Sequence, residues 1–170
     1  MDGMVHVYTG NGKGKTTSAI GLAVRAAGAG LNVYIGQFAK GRKYSELNSL
    51  ERLDNIDIEQ FGRKKFIKNS ADKLDIKKAE KGYEKIKNIL NSNSYDLVIL
   101  DEANIAVYFD LFTVDQLIDL IEDRNKKIEV VLTGRMADRK IIEYADLVTE
   151  MKEIKHYYND GITARKGIEN

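Results

Sequence analysis

The chain has 170 residues, with 27 Lys and Arg against 26 Asp and Glu, a net charge of +1 and no cysteine. That length fits one domain, 1–170, with a full core, and so balanced a charge calls for neither nucleic acid nor a membrane surface as partner. Without cysteine, disulfides, thiolate catalysis and thiolate metal sites are excluded, in keeping with a reducing cytoplasm. No apolar run reaches the roughly 20 residues of a membrane helix, and Met1–Met4 opens no signal peptide.

Met4–Tyr8 reads as a buried strand, and Lys15–Ala29 as a helix with Ile20, Val24 and Ala27 at helical spacing and Gly28 and Gly30 near its stop. Between them lies Thr9-Gly10-Asn11-Gly12-Lys13-Gly14-Lys15-Thr16-Thr17. A glycine-rich turn from strand to helix is a phosphate cradle, because its N–H groups converge and the helix N-terminus adds partial positive charge. Lys15 and Thr16 take the places of the lysine and Mg²⁺-binding hydroxyl of a P-loop. The consensus wants glycine five residues before Gly14, and that residue is Thr9. The plain alternative is a glycine-rich turn with a surface lysine. The strand–loop–helix context favours nucleotide binding, and Thr9 suggests that the triphosphate lies differently from its pose in a standard hydrolase.

Leu31–Phe38 reads as a second strand, followed by Gln37–Gly41 at its end. Tyr44–Leu53 reads as a short helix, Ile56–Phe61 as a third strand and Gly62–Ser70 as a basic loop. Asp72–Leu90 is the clearest amphipathic helix, with Ile76, Ala79, Tyr83, Ile86 and Leu90 on one stripe. The lysines of 62–87 interleave with Asp72, Asp75, Glu80 and Glu84, the pattern of a solvated face rather than a nucleic-acid patch. Phe61 and Phe66 flank the basic loop, either as core or as the lining of a pocket for a large flat ligand.

Leu97–Leu100 is a strand ending in Asp101-Glu102, either a pair of acids at a surface strand end or the pattern of a Walker B strand, whose carboxylate can hold Mg²⁺ directly or through water opposite Thr16; the P-loop favours the second. Adjacent strand residues point to opposite faces, so one of the two acids faces the ligand, and the sequence leaves open which. Thr113–Gln116 is a capping box that opens a helix to about Arg124. Ile128–Leu132 is a strand followed by Thr133-Gly134-Arg135. Asp138–Tyr144 is a helix and Leu147–Met151 a last core strand.

Alternating strands and helices predict an α/β fold, a mainly parallel sheet covered on both faces, and ligands in such sheets bind beyond the strand C-termini. The polar clusters after Tyr8, Leu100 and Leu132 therefore belong to one site. Arg135, at a strand end, suits phosphate binding. Arg25, about two turns beyond Thr17, either folds back to the nucleotide or is solvated, and both readings stay open. Lys155-His156 reads as structural from the residues alone.

Taken together, six segments resemble the ATP:corrinoid adenosyltransferases: TGNGKGKTT (Thr9–Thr17), QFAKG (Gln37–Gly41), LDEANIA (Leu100–Ala106), TGRMA (Thr133–Ala137), ADLVTEM (Ala145–Met151), and Lys155-His156 with GITARKGIE (Gly161–Glu169). They run in family order across nearly the whole chain, and the threonine at position 9 is itself a family feature. The resemblance implies a P-loop NTPase (RecA-like) three-layer sandwich. It implies transfer of the 5′-deoxyadenosyl group of ATP to a reduced corrinoid, with Co(I) attacking the ribose 5′ carbon and triphosphate leaving, so that no side-chain nucleophile is required.

By the same resemblance, Gly10, Asn11, Gly12, Lys13, Gly14, Lys15, Thr16 and Thr17 bind the triphosphate, aided by Arg25 and Arg135. Thr16 and Glu102 hold Mg²⁺ or Mn²⁺, with Asp101 close by. Phe66 stands for the phenylalanine of a family segment that packs on the lower corrinoid face, although that segment's threonine and tryptophan are replaced by Ile67 and Lys68. Tyr83 stands where a tryptophan is common. A reductant for the corrinoid and a homodimer are implied as well. The N-terminal arm with which some relatives cover the partner's site is expected to be missing. Two other readings compete: a P-loop ATPase or kinase in which Glu102 helps water or a hydroxyl attack phosphorus, and a nucleotide-gated binding module without chemistry.

Overall fold

The computed structural model describes residues 2–65, 67 and 70–169. Its centre is a six-stranded sheet of β1 (Val5–Thr9), β2 (Val33–Gln37), β3 (Ile56–Gln60), β4 (Leu97–Asp101), β5 (Glu129–Thr133) and β6 (Leu147–Glu150). The order is β3-β2-β4-β5-β1-β6, and every pairing is parallel. All six strands therefore end on one edge, as the alternating pattern predicts.

Helices cover both faces, giving three layers. On one face α1 (Lys15–Gly28) and α2 (Ser45–Leu50) pack on Val33, Ile35, Leu97, Ile99 and Val131. The buried side of α1 is Ala19, Ala23 and Ala26, small residues that let the helix approach the sheet closely. On the other face α3 (Lys73–Leu90), α4 (Ala103–Tyr108), α5 (Val114–Glu122) and α6 (Arg139–Tyr144) pack on Val5, Val7, Val98, Leu100, Val130 and Leu132. Two capping boxes fix helix starts: Asp72 with Asp75 for α3, and Thr113 with Gln116 for α5. Each satisfies two backbone donors that the helix leaves unpaired.

Two expectations change, and one open choice is decided. Leu147–Glu150 is no core strand: it lies on the sheet edge beside β1, and all four residues are exposed. Its apolar residues reflect β-pairing rather than burial. The stretch after Glu102 forms α4, a helix the pattern did not show, because six largely apolar residues flush against a strand have no readable period. Phe61 is core, packed against Phe38 at 5.6 Å, and Gly82 of α3 leaves it room, since a Cβ there would come within 2.5 Å of the ring. Tyr83 belongs to the same layer: it packs on Phe112 at 5.8 Å and donates to the Gln116 carbonyl. Among the described residues, no helix is long and apolar enough to cross a membrane.

Candidate active site: a phosphate cradle at the strand ends

Strand alternation decides which side chains meet. Leu97 and Ile99 face α1, so Asp101, two residues on, faces α1 as well. Gln37 is its register partner on β2, and Thr133 ends β5 on the other side with the parity of Val131. Asp101 is therefore flanked by Gln37 and Thr133 and lies beneath the first turn of α1. It is 1 % exposed and accepts four hydrogen bonds. Its Oδ1 takes Thr16 Oγ1 at 2.8 Å and Thr133 Oγ1 at 2.6 Å, and its Oδ2 takes Gln37 Nε2 at 3.0 Å and Lys40 Nζ at 2.7 Å. Burial pushes its pKa upward, but Lys40 and the hydroxyl donors outweigh that and hold it below the usual carboxylate range.

Of the two acids, Glu102 is the one that lines the cleft. Its backbone is left-handed (φ 60°), which turns the chain sharply from β4 into α4 and sets its carboxylate in the cleft wall. Such a conformation costs a non-glycine residue about 1–3 kcal/mol and is kept where the surroundings enforce it. Here the Glu102 N–H donates to Thr133 Oγ1 at 3.0 Å. Ala39 after β2 and Met136 after β5 also have positive φ, so the turns after three strands each hold a non-glycine residue in this region. Burial first, and the neighbouring Asp101 second, raise the Glu102 pKa.

The loop itself is shaped by glycine at defined points. Gly10 (φ 95°) and Gly14 (φ 116°) take conformations that L side chains rarely adopt. At Gly12 the constraint is space, because a Cβ there would come within 2.6 Å of the Met151 carbonyl. That carbonyl accepts the Gly12 N–H at 2.6 Å, and Met151 N donates to the Thr9 carbonyl at 2.9 Å, so the continuation of β6 braces the loop. Lys15 is buried and donates to the Gly12 carbonyl at 2.6 Å. Burial, with Arg135 next, lowers its pKa.

The cleft above these residues measures about 870 Å³, within the usual range for small-molecule sites. Asn11–Thr17, Lys40, Glu102 and Arg135 line it, together with the apolar Ile20, Ile67, Ile105 and Phe109. The polypeptide after β6 crosses over it. There Lys13 Nζ meets Glu169 Oε1 at 2.6 Å and the Tyr157 hydroxyl at 3.0 Å, and Arg165 lies 4.8 Å from the Tyr157 ring. The hydrogen bond from Lys13, then that from Tyr157, holds the Glu169 carboxyl well below its ordinary range. His156 lines the cleft and also accepts the Tyr158 N–H, capping the 3-10 turn Tyr157–Asp160. Lys40, Asn104 and Glu169 fall within the family-like segments, but sequence reasoning gave them no role. Asn104 is buried and donates to the Gly134 carbonyl at 3.1 Å, tying α4 to the loop after β5.

Arg25 is not brought in. It is exposed in the last turn of α1, roughly 12 Å beyond Thr17 along the helix axis at 1.5 Å per residue, and it is not among the cleft-lining residues. Phe66 lies outside the described residues. Among the described residues no three His, Cys, Asp or Glu side chains cluster as a ready-made metal site. Thr16 and Glu102 both line the cleft.

The raised pKa of Glu102 has a testable sign. A buried acid whose folded-state pKa lies above its unfolded value costs stability as pH rises through the ordinary carboxylate range toward the folded value, and costs nothing below it. In metal-free buffer, Glu102→Gln is expected to melt at a higher temperature than the parent chain at neutral pH. The gap should close on acidification. A gap that is absent at neutral pH, or that widens in acid, would contradict the burial of this charge.

A braced glycine loop between β1 and α1, with a strand-end aspartate under the loop hydroxyl and all of it at the C-terminal edge of a parallel sheet, defines a P-loop nucleotide-binding protein. The profile of the family described as "ATP:corrinoid adenosyltransferase BtuR/CobO/CobP" matches residues 1–170. The corrinoid adenosyltransferase of Sinorhizobium sp. is 37% identical over 171 residues, spanning 98% of this chain and 80% of the relative. That of Pseudomonas aeruginosa is 36% identical over 169 residues, spanning 98% and 83%. That of Escherichia coli K12 is 32% identical over 167 residues, spanning 98% and 85%. The chain belongs to the ATP:corrinoid adenosyltransferase family and is an enzyme of that class.

Proposed function

We propose that this chain transfers the 5′-deoxyadenosyl group of ATP to the Co(I) centre of a reduced corrinoid and releases inorganic triphosphate. The supporting observation is the mixed character of one cleft: a phosphate cradle with Lys15, Glu102 and Arg135 shares it with the apolar side chains of Ile67, Ile105 and Phe109. A triphosphate needs the first set, and a large flat macrocycle suits the second.

In the proposed reaction the cobalt electron pair attacks C5′ of the ribose. The cobalt–carbon bond forms as the bond from C5′ to the α-phosphate oxygen breaks, and triphosphate leaves with that bonding pair. Cobalt passes formally from Co(I) to Co(III). No proton is removed from carbon, so no general base is needed. The loop N–H groups, Lys15 and Arg135 hold the triphosphate and stabilise its growing charge. Bound through Thr16 and Glu102, Mg²⁺ or Mn²⁺ would add positive charge at the leaving group. The protein's contribution is orientation: holding the C5′–O bond in line with the cobalt turns a bimolecular encounter into a local one. An electron donor for the corrinoid and a homodimeric assembly belong to the same proposal, as does Phe66 at the corrinoid face.

The test is an anoxic reaction of MgATP with chemically reduced corrinoid, following loss of the Co(I) absorbance and the phosphate product. A light-sensitive alkylcobalt species with stoichiometric triphosphate is expected. ADP and phosphate without alkylation would overturn the proposal and favour an ATPase built on the same loop.

A further inference from the structure

In an ordinary P-loop site the loop hydroxyl and the strand-end aspartate face each other across a divalent cation. Here an ammonium bridges the two groups. Lys40 Nζ lies 2.7 Å from Asp101 Oδ2 and 3.2 Å from Thr16 Oγ1. An ionised carboxylate offers about four acceptor sites, and all four of Asp101 are taken, by Thr16, Thr133, Gln37 and Lys40. Asp101 has no lone pair left for a metal. Glu102, one residue on, lines the cleft, and no hydrogen bond from a described side chain accounts for its charge.

The position of Lys40 is built into the backbone. Phe38 N donates to the Asp101 carbonyl at 2.9 Å, Ala39 takes a positive φ of 52°, and the Lys40 carbonyl accepts the Gly62 N–H at 2.8 Å. The chain is thus pinned on both sides of a strained residue whose effect is to deliver the lysine to the carboxylate. Its side chain is 14% exposed, too little for a freely solvated lysine.

We propose that Lys40 is a positioning residue: a fixed counter-charge that keeps Asp101 out of the metal's coordination shell and leaves Thr16 and Glu102 to ligate it. The proposal rests on the reading that the metal binds at Thr16 and Glu102. It has a consequence for order of binding. Because Lys40 offsets the charge of Asp101, a bare dication finds only the Glu102 carboxylate, itself near Lys15 and Arg135, and is weakly held, whereas a dication carried on a triphosphate brings further oxygen ligands with it. The metal therefore enters with the nucleotide.

The probe is Mn²⁺, titrated into the full chain and followed by the electron paramagnetic resonance signal of the free ion, with and without ATP. The parent chain is expected to bind Mn²⁺ tightly only with ATP. Lys40→Gln, which keeps a donor to Asp101 but not the charge, should bind Mn²⁺ without nucleotide at least about tenfold more tightly. Lys40→Arg, which keeps the charge, should match the parent. Lys40→Met takes the place of the glutamine variant should that one not fold, with the same expectation. Nucleotide-free Mn²⁺ binding unchanged in the neutral variants would overturn the role of Lys40, as would an arginine variant that shifts as far as they do. Glu102→Gln separates this from the underlying reading. If it keeps parental Mn²⁺–ATP binding, the Glu102 ligand falls and the proposal with it. If it loses that binding while the neutral Lys40 variants stay parental, only the role of Lys40 falls.

Discussion

Lys15→Ala is expected to lower kcat/KM for ATP by at least about 10²–10³-fold, the loss that follows removal of one preorganised donor to a developing anion. Lys15 is buried, its ammonium is held 2.6 Å from the Gly12 carbonyl, and its pKa is lowered first by burial and then by Arg135. A cation kept charged in partly desolvated surroundings gains more from a triphosphate than a solvated one does. The fold should survive, because the alanine variant leaves a single carbonyl without its donor, worth about 1 kcal/mol. Isothermal titration of ATP beside a thermal melt separates the two effects. Parental ATP affinity in a folded variant would remove the loop lysine from the phosphate site. Lys15→Arg should not rescue, since a planar guanidinium cannot occupy the place of a compact ammonium between loop and phosphate.

The part of this site that was legible in the sequence is the part that physics writes locally. A glycine turn between an apolar run and a helix needs only neighbouring residues to be recognised, and β1, the loop and α1 stand where those residues put them. The same holds for the acids at the end of β4 and for the capping box Thr113–Gln116, whereas the box of Asp72 with Asp75 went unread. What was not legible depends on partners distant in the chain. The choice between Asp101 and Glu102 was a matter of parity against α1 and of a left-handed backbone at Glu102, and neither is written in two adjacent acids. Lys40 looked like any lysine after a strand until β2 was placed beside β4. The Lys13–Glu169 contact spans nearly the whole chain. The exposure of β6 follows from its place at the end of the strand order, and that order is set by long crossovers rather than by any local pattern. Arg25 lies apart from the cleft lining for a plainer reason: helix rise carries it away from the loop.

Gly12→Ala is the substitution that tests whether the continuation of β6 braces the phosphate cradle. The backbone at Gly12 is not left-handed, so alanine meets no conformational penalty there, and the cost is wholly one of space. A Cβ would come within 2.6 Å of the Met151 carbonyl and 2.9 Å of the Lys152 carbonyl carbon. Both are backbone atoms and cannot swing aside, so β6's continuation must move off the loop, and the 2.6 Å Gly12–Met151 hydrogen bond is lost with it. Overpacking of this kind costs about 1–3 kcal/mol, and at about 2–4 °C per kcal/mol for a chain of this size the melting temperature should fall by several degrees. Affinity for ATP should fall at least about tenfold, because the displaced N–H groups no longer converge on the phosphates. Gly21→Ala provides the contrast. It lies inside α1 with nothing within 4 Å of its Cβ position, and alanine there should raise stability by about 0.5–1 kcal/mol and leave ATP binding alone. If both alanine variants behave alike, the loop is not braced, and its shape is set by Gly10 and Gly14 without help from the chain that crosses it.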